Sequence, residues 1–174
     1  MSRVFVGVGF GPIQAGLFVK EAADSGRFSE IVVSEVDAEL VDAVRAAGGR
    51  YVVNVAGAAS VEAVSVSGVT LLNPAVAAER ARLLEGLARA SEVVTSLPSV
   101  ACYARGGEAS VARLLAEGLA AEGVGQTAVY TAENDNHAAE RLEREVCAAG
   151  GGRRGRRQVQ MLNTVIGKMS QVVT

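Results

Sequence analysis

The sequence contains no tryptophan, and aromatic residues make up only 4% of its 174 positions. A core without large rings has to be filled by aliphatic side chains, which is typical of parallel sheets covered by helices. Histidine occurs once, at His137, and no two cysteines stand at a metal-ligand spacing. We therefore expect no metal centre, because such a centre needs several ligands of these types.

Signals for secretion and membrane insertion are missing as well. The segment from Met1 to Phe10 lacks a basic stretch followed by a long apolar run, and no apolar stretch approaches about 20 residues. Cys102 and Cys147 are therefore predicted to be buried thiols in a reducing compartment rather than a disulfide. These features favour a cytoplasmic protein without a membrane partner.

A strong charge of either sign is also lacking. The formal net charge of −2 gives no general attraction to nucleic acid or anionic lipid, so neither is predicted as a partner. The local exception is the arginine cluster from Arg153 to Arg157 within the glycine-rich segment 150–157. Such a run predicts a mobile, solvated loop, with an anion site as the alternative.

Apolar runs alternate along the chain with segments of helical periodicity. Short β-branched runs bounded by glycine are typical of strands buried on both faces. Capping residues and glycines delimit the helices between them, as Asp37 does at the start of one helix. The predicted strands are Val4–Val8, Ile31–Ser34, Tyr51–Val55, Glu92–Leu97, Thr127–Thr131 and Val159–Ile166, and the predicted helices cover Gln14–Ser25, Asp37–Gly48, Asn73–Leu87, Ala109–Ala121 and His137–Ala149.

This alternation predicts a single α/β domain with a doubly wound, mostly parallel sheet of about six strands, a fold of the Rossmann type. Two segments fit this parallel sheet less well. Val61–Val66 and Val69–Leu72 predict either an extra hairpin or an extension at the edge of the sheet.

Asn73 followed by Pro74 is typical of a helix start, with asparagine as the cap and proline at the first helical position.

The first strand runs through glycines directly into a helix. At such a turn the backbone N–H groups and the positive end of the helix point to one spot, where a pyrophosphate binds against bare backbone. The glycines fit two registers, Gly7-x-Gly9 or Gly9-x-Gly11, and the second is better, with Gln14 where a third glycine is expected. The predicted cofactor-binding residues of this turn are Gly9, Phe10, Gly11, Pro12, Ile13 and Gln14.

An acidic residue, Glu35, follows the second predicted strand, about 25 residues past the turn. A carboxylate at that place accepts hydrogen bonds from the adenosine ribose hydroxyls and repels a 2′-phosphate. Glu35 therefore predicts a preference for NAD over NADP, whereas the neighbouring Asp37 is interpreted as a helix cap.

Polar residues also follow the fourth and fifth predicted strands, at the edge where open α/β sheets bind ligands. Asn134 is placed to donate to a substrate oxygen, although Glu133 and Asn134 are equally well interpreted as caps of the next helix. His137 is interpreted as a residue of that helix start rather than a base, because it has no identifiable partner. The predicted cofactor contacts after the fourth strand are Thr95, Ser96 and Leu97.

Taken in order, these motifs resemble the amino-terminal cofactor domain of the long-chain polyol dehydrogenases, the family that includes the mannitol dehydrogenases. Members carry a GxGxIxxG turn, an acid after the second strand, a YVVNVAG-like strand, a VSGV-like piece, a threonine at a strand end and a C-[DE]-N motif. The matching positions here are Gly9, Gly11, Ile13 and Gly16, with Gln14 departing from the usual glycine, then Glu35, Tyr51–Gly57, Val66–Val69, Thr95 and Ala132–Asn134.

The resemblance implies an NAD cofactor, a small polyol substrate and an oxyanion-hole role for Asn134. It also implies a proton-transferring lysine in a KxxxxNxxH helix of a second, helical domain, and this sequence has no such motif. The family's D-x-x-x-D-R-I segment is altered as well, with Asn163, Gly167 and Lys168 at the corresponding positions.

We therefore expect residues 1–174 to form one dinucleotide-binding domain that lacks the catalytic helical domain. That domain, or a separate partner, would have to supply the lysine, so this chain alone is expected to bind cofactor with little or no turnover. Two alternatives remain: a nucleotide-sensing or interaction domain without chemistry, and an enzyme that uses another adenosine cofactor, such as a methyltransferase.

Overall fold

The computed structural model describes residues 3–120, 125–150 and 158–167. These residues form strands that follow the apolar runs of the sequence, and most lie in one sheet. In chain order the strands are β1 (Val4–Val8), β2 (Glu30–Ser34), β3 (Tyr51–Ala56), β4 (Val61–Val66), β5 (Val69–Leu72), β6 (Ala90–Thr95), β7 (Gln126–Thr131) and β8 (Gln158–Asn163).

Helices connect the strands of the sheet. The first begins as a π-helix over Gln14–Val19 and continues as α1 (Lys20–Asp24), so the helix that follows the glycine turn is wider than an α-helix at its start. Single 3₁₀ turns occupy Val100–Cys102 and Gly107–Ala109. The remaining helices are α2 (Ala38–Ala46), α3 (Ala77–Arg89), α4 (Val111–Gly118) and α5 (Ala138–Ala148).

The main sheet has the strand order β5-β2-β1-β6-β7-β8, and each neighbouring pair in it is parallel. The chain first winds from β1 toward β5 and then returns to continue from β6 toward β8. This reversal opens a crevice at the carboxyl ends of β1 and β6, where open α/β sheets bind their ligands. The predicted doubly wound parallel sheet is confirmed.

Two large apolar clusters cover the two faces of the sheet, in addition to a small one formed by Val32, Leu72 and Leu83. Side chains of β1 alternate between them: Val6 belongs to the cluster packed by α3, α4 and α5, and Phe5 belongs to the cluster packed by the first helix and α2. Right-handed crossovers in opposite directions place the two sets of helices on opposite faces. All five residues of β1 are buried, so the strand that carries the glycine turn is the centre of the fold.

Tyr51–Val55 is a strand, as predicted, but its predicted place as the third strand of the main sheet is wrong. That segment belongs to β3, which pairs with β4 in a separate antiparallel hairpin. A strand inside a parallel sheet is buried on both faces, whereas four of the six residues of β3 are exposed. β5 takes the third position instead, at the sheet edge, as the edge-extension alternative had it, and most of its residues are buried.

Asn73 is not the cap of the next helix, because α3 begins only at Ala77. The Asn73 side chain accepts a hydrogen bond from the Ala75 backbone N–H at 2.9 Å and donates one to the Val36 carbonyl at 3.2 Å. Asn73 therefore closes a short turn of its own, which lies ahead of α3. The Asp37 cap of α2, in contrast, is confirmed, since its carboxylate accepts from the N–H groups of Glu39 and Leu40.

The structure also bears on several smaller predictions. Cys147 is exposed and Cys102 is half-buried, so the prediction of two buried thiols is wrong. The predicted loop at 150–157, apart from Gly150, and the tail from Lys168 onward lie outside the described residues. Among the helices that are described, none combines the length and the apolar character needed to cross a bilayer.

Candidate functional site

The turn after β1 starts at Gly9, whose φ of 81° lies in the left-handed region that favours glycine. A Cβ atom at this position would lie 2.7 Å from the Ser96 carbonyl oxygen and 3.1 Å from Cδ2 of Leu97. The Gly9 backbone N–H donates to the carbonyl of Ser34 at 2.8 Å. Gly9 thus fastens the turn between the ends of β2 and β6, and a side chain does not fit there.

Gly11 has the opposite surroundings. A Cβ atom at Gly11 would meet no protein atom within 4 Å, so the turn is open on this side. The helix begins immediately afterwards, and the Ala15 N–H donates to the Gly11 carbonyl at 2.9 Å. The first N–H groups of a helix have no partner within it, and Pro12 at its start carries none, so an anion can approach Gly11 and Ile13.

Gln14 lies directly under the turn and is completely buried. Neither its Nε2 nor its Oε1 atom has a hydrogen-bond partner among the described residues. The amide occupies the space above Gly7, where a Cβ atom would overlap it, next to the Val33 side chain. The close approach of strand and helix that a third glycine usually permits is therefore supplied by Gly7 of the strand. In the sequence, Gly7 enters only as an alternative register of the glycine motif, and nothing there indicates this role.

Glu35 lies at the carboxyl end of β2, beside the turn. Its Oε2 atom accepts from the Phe10 N–H at 2.7 Å, and Oε1 accepts from the N–H groups of Val36 and Asp37 at 2.7 and 2.9 Å. A carboxylate offers about four acceptor sites, so one on Oε2 is left for a further donor such as a ribose hydroxyl. The bond that ties Glu35 to the turn was not foreseen from the sequence.

The segment after β6 closes the other side of the turn. The Ser96 N–H donates to the Val8 carbonyl at 3.0 Å, and the Leu97 side chain packs over Gly9. Thr95 is completely buried, and its hydroxyl donates to Glu133 Oε2 at 2.9 Å. Ser96 and Leu97 therefore border the crevice, whereas the Thr95 hydroxyl is used inside the protein.

Glu133 is the buried centre of this region, with only 4% of its surface exposed. Its Oε1 atom accepts from the Leu97 N–H at 3.0 Å, and Oε2 accepts from the hydroxyls of Thr95 and Tyr103. Burial, reinforced by the hydrogen bond to Glu133, raises the pKa of Tyr103 well above its usual 10.0, so this phenol remains a donor. From the sequence, Glu133 is predicted only as a residue at a strand end or a helix cap, and Tyr103 belongs to no motif that would identify it.

Asn134 is exposed directly after β7, at the same edge of the sheet as Glu133. His137 is the residue before α5, as predicted, and its Nδ1 atom lies 3.7 Å from Oε1 of Glu140. Asn134 and His137 are both exposed on the short connection to α5. The described residues contain no cluster of His, Cys, Asp or Glu able to hold a metal ion.

A groove of about 720 Å³ lies elsewhere, along the sheet face that α1 borders. Its walls are mainly apolar and include Leu17, Phe18, Tyr130 and Ile166. None of the residues of the glycine turn lines it. The candidate site is the crevice at the strand ends, which brings together Gly9, Phe10, Gly11, Pro12, Ile13, Glu35, Ser96 and Leu97. Gln14 and Thr95 are buried beneath it, and Asn134 is an exposed residue next to Glu133 after β7.

The strand order and the glycine turn define this chain as an α/β domain of the Rossmann type. Among solved structures, it is similar to a UDP-glucose dehydrogenase from the hyperthermophilic archaeon Pyrobaculum islandicum, with a TM-score of 0.59 and 16% sequence identity. The match covers 98% of this chain and 38% of that chain, so the present chain spans well under half of that dehydrogenase. At this identity the likeness concerns the fold. No protein-family model and no curated protein matches the sequence.

Proposed function

We propose that this chain is the NAD(H)-binding domain of an oxidoreductase. The observation that carries the proposal is the contrast within the turn, where Gly9 is packed against Ser96 and Leu97 while Gly11 faces open space beside a helix start. A pyrophosphate needs bare backbone N–H groups at such a place. The similarity of the fold to that of a dehydrogenase supports the same assignment.

The adenosine half of the cofactor would lie on the β2 side of the turn. There the remaining acceptor site on Glu35 takes a ribose hydroxyl, and its negative charge repels the 2′-phosphate of NADP. The nicotinamide half would then lie across the crevice, beside Ser96, Leu97 and Asn134. The fixed position of the Glu35 carboxylate, held by three backbone N–H groups, supports a preference for NAD.

The substrate we propose is a small polyol or sugar alcohol, with or without a phosphate group. This part of the proposal rests on the resemblance to the long-chain polyol dehydrogenases. Asn134 is the proposed donor to the substrate oxygen, where negative charge develops as hydride is transferred. Its exposed position at the same sheet edge as Leu97 and Glu133 is compatible with that role.

Proton transfer would require a group that the described residues do not place in the crevice. We propose that a lysine from a further helical domain, or from a partner protein, supplies it, and that the protein works in the cytoplasm. The dehydrogenase of similar fold is much longer than the present chain. The domain alone should therefore bind NADH and turn over little or no substrate.

Thermal unfolding with added ligand tests the proposal against its alternatives. NADH at millimolar concentration should raise the melting temperature, because a ligand that binds the folded state stabilises it by mass action. S-adenosylmethionine should have no effect. A shift with S-adenosylmethionine alone would favour a methyltransferase, and no shift with either compound would favour an interaction domain.

A further inference from the structure

We propose that Glu133 is a positioning residue for the nicotinamide half of the cofactor site. The inference rests on the proposed function and adds a residue that would not touch the cofactor itself. Glu133 lies two residues after β7, and its nearly complete burial separates its carboxylate from solvent. It would act by holding the segment after β6 in place.

The hydrogen bonds of Glu133 join the segment after β7 to the end of β6 and to Tyr103. They come from the Thr95 hydroxyl at the end of β6, from the Leu97 N–H just after it, and from the Tyr103 hydroxyl beyond the first 3₁₀ turn. All three donors are neutral groups. A buried carboxylate is costly unless donors surround it, so these segments must keep their positions for the charge to remain satisfied.

Leu97 transmits this arrangement to the glycine turn. The segment that Glu133 holds through the Leu97 N–H also places the Leu97 side chain and the Ser96 carbonyl against Gly9. β7, the segment after β6 and the turn are thus linked by direct contacts. A displaced Leu97 would change the wall of the crevice on the β6 side.

The adenosine side of the crevice does not depend on Glu133. Its acidic residue, Glu35, is held by the N–H groups of Phe10, Val36 and Asp37. Because β2 and β6 lie on opposite sides of β1, the two halves of a dinucleotide would be bound by separately supported walls. Loss of Glu133 should therefore weaken binding of the nicotinamide half and spare the adenosine half.

Isothermal titration of the Glu133→Gln variant with NADH and with ADP-ribose tests this inference. Glutamine keeps a single acceptor oxygen, so at least one of the three donors loses its present acceptor and has to reorient. The bonds that remain no longer involve a charged group. We expect the Kd for NADH to rise by about tenfold or more, as for loss of a hydrogen bond to a charged group, and the Kd for ADP-ribose to change less than about twofold. Tyr103→Phe, which removes one donor and keeps the ring, should give a smaller change in the same direction.

Glu117→Gln is the matched control, because Glu117 bonds Arg80 and Arg113 away from the crevice. It should leave both dissociation constants unchanged. An equal loss of affinity for NADH and ADP-ribose in Glu133→Gln would overturn the inference and assign Glu133 a general role in stability. Unchanged affinity for both ligands would also overturn it. If Glu133→Gln does not fold, the same comparison with Tyr103→Phe decides. An unaltered protein that binds neither ligand would instead refute the proposed function on which the inference rests.

Discussion

Gly9 and Gly11 stand two positions apart in one turn and have opposite surroundings, which gives a prediction at the scale of single residues. Gly9→Ala places a Cβ against the Ser96 carbonyl at a positive φ, so the free energy of unfolding should fall by about 1–3 kcal/mol. Gly11→Ala meets open space, and its free energy of unfolding should stay within about 0.5 kcal/mol of the original. Urea denaturation followed by circular dichroism measures both. Equal losses in the two variants would contradict the described geometry.

Glu35 determines the proposed choice between cofactors. Glu35→Gln keeps the size of the side chain and an acceptor oxygen but removes the charge that repels a 2′-phosphate. The ratio of the dissociation constants for NADPH and NADH should fall by about tenfold, which corresponds to roughly 1.4 kcal/mol. Titration with each cofactor gives that ratio, with Glu39→Gln on the exposed start of α2 as the control. An unchanged ratio of the two dissociation constants would show that Glu35 does not discriminate between NADH and NADPH.

Gln14 gives a prediction about stability. Its buried amide has no hydrogen-bond partner among the residues the structure describes, and such a group costs about 1–3 kcal/mol. Gln14→Met has a similar length and no amide, so the free energy of unfolding should rise by about 1 kcal/mol. Chemical denaturation measures the gain, and Gln160→Met at an exposed position should give none. A loss of stability in Gln14→Met would show that the amide is satisfied in solution.

At the scale of elements, α2 depends on its cap. The Asp37 carboxylate accepts from the N–H groups of Glu39 and Leu40 at 3.0 and 3.2 Å. Asp37→Ala should lower the free energy of unfolding by about 0.5–2 kcal/mol. Asp42→Ala removes an exposed carboxylate from the same helix, where it pairs with Arg45 on the surface, and should cost less than about 1 kcal/mol. Equal losses of unfolding free energy in the two variants would show that the Asp37 cap contributes no more than an ordinary surface carboxylate.

The elements of the parallel sheet were predictable because their local patterns agree with the final fold. β1 and β2 are short β-branched runs buried on both faces, and Asp37 and His137 stand where helices begin. The hairpin of β3 and β4 was harder to predict, since the valines of β3 look like those of an internal strand although Val52 and Val55 are exposed. Which strands pair is decided by tertiary packing, which a local pattern does not encode.

The crevice was predictable from the sequence to a similar extent. The glycines and Glu35 form a motif whose residue types and spacing are enough to predict the turn. The network of Glu133 was not, because Thr95 and Tyr103 meet it only after β6, the following 3₁₀ turn and β7 are packed together. The position of the Gln14 amide over Gly7 likewise depends on the distance between the first helix and β1.

The whole molecule should lose stability at alkaline pH. Burial raises the pKa values of Tyr51 and Tyr103 above their usual 10.0. The unfolded chain therefore releases these protons at a lower pH than the folded protein does, so their contribution is complete below about pH 10 and is lost as the pH rises beyond it. Urea denaturation at about pH 8 and pH 11 should show this fall, and Tyr103→Phe should reduce its size. An equally steep fall in that variant would assign the alkaline transition to other groups.

The central claim is that the open side of the glycine turn receives the pyrophosphate of NAD(H). Titration calorimetry of the unaltered protein and of Gly11→Ala with NADH tests it most directly, because the added methyl group fills that space without disturbing any protein contact. We predict saturable binding to the unaltered protein and a loss of at least about tenfold in affinity for Gly11→Ala at unchanged stability. Absence of NADH binding at millimolar concentration, or equal affinity in the two proteins, would contradict the account.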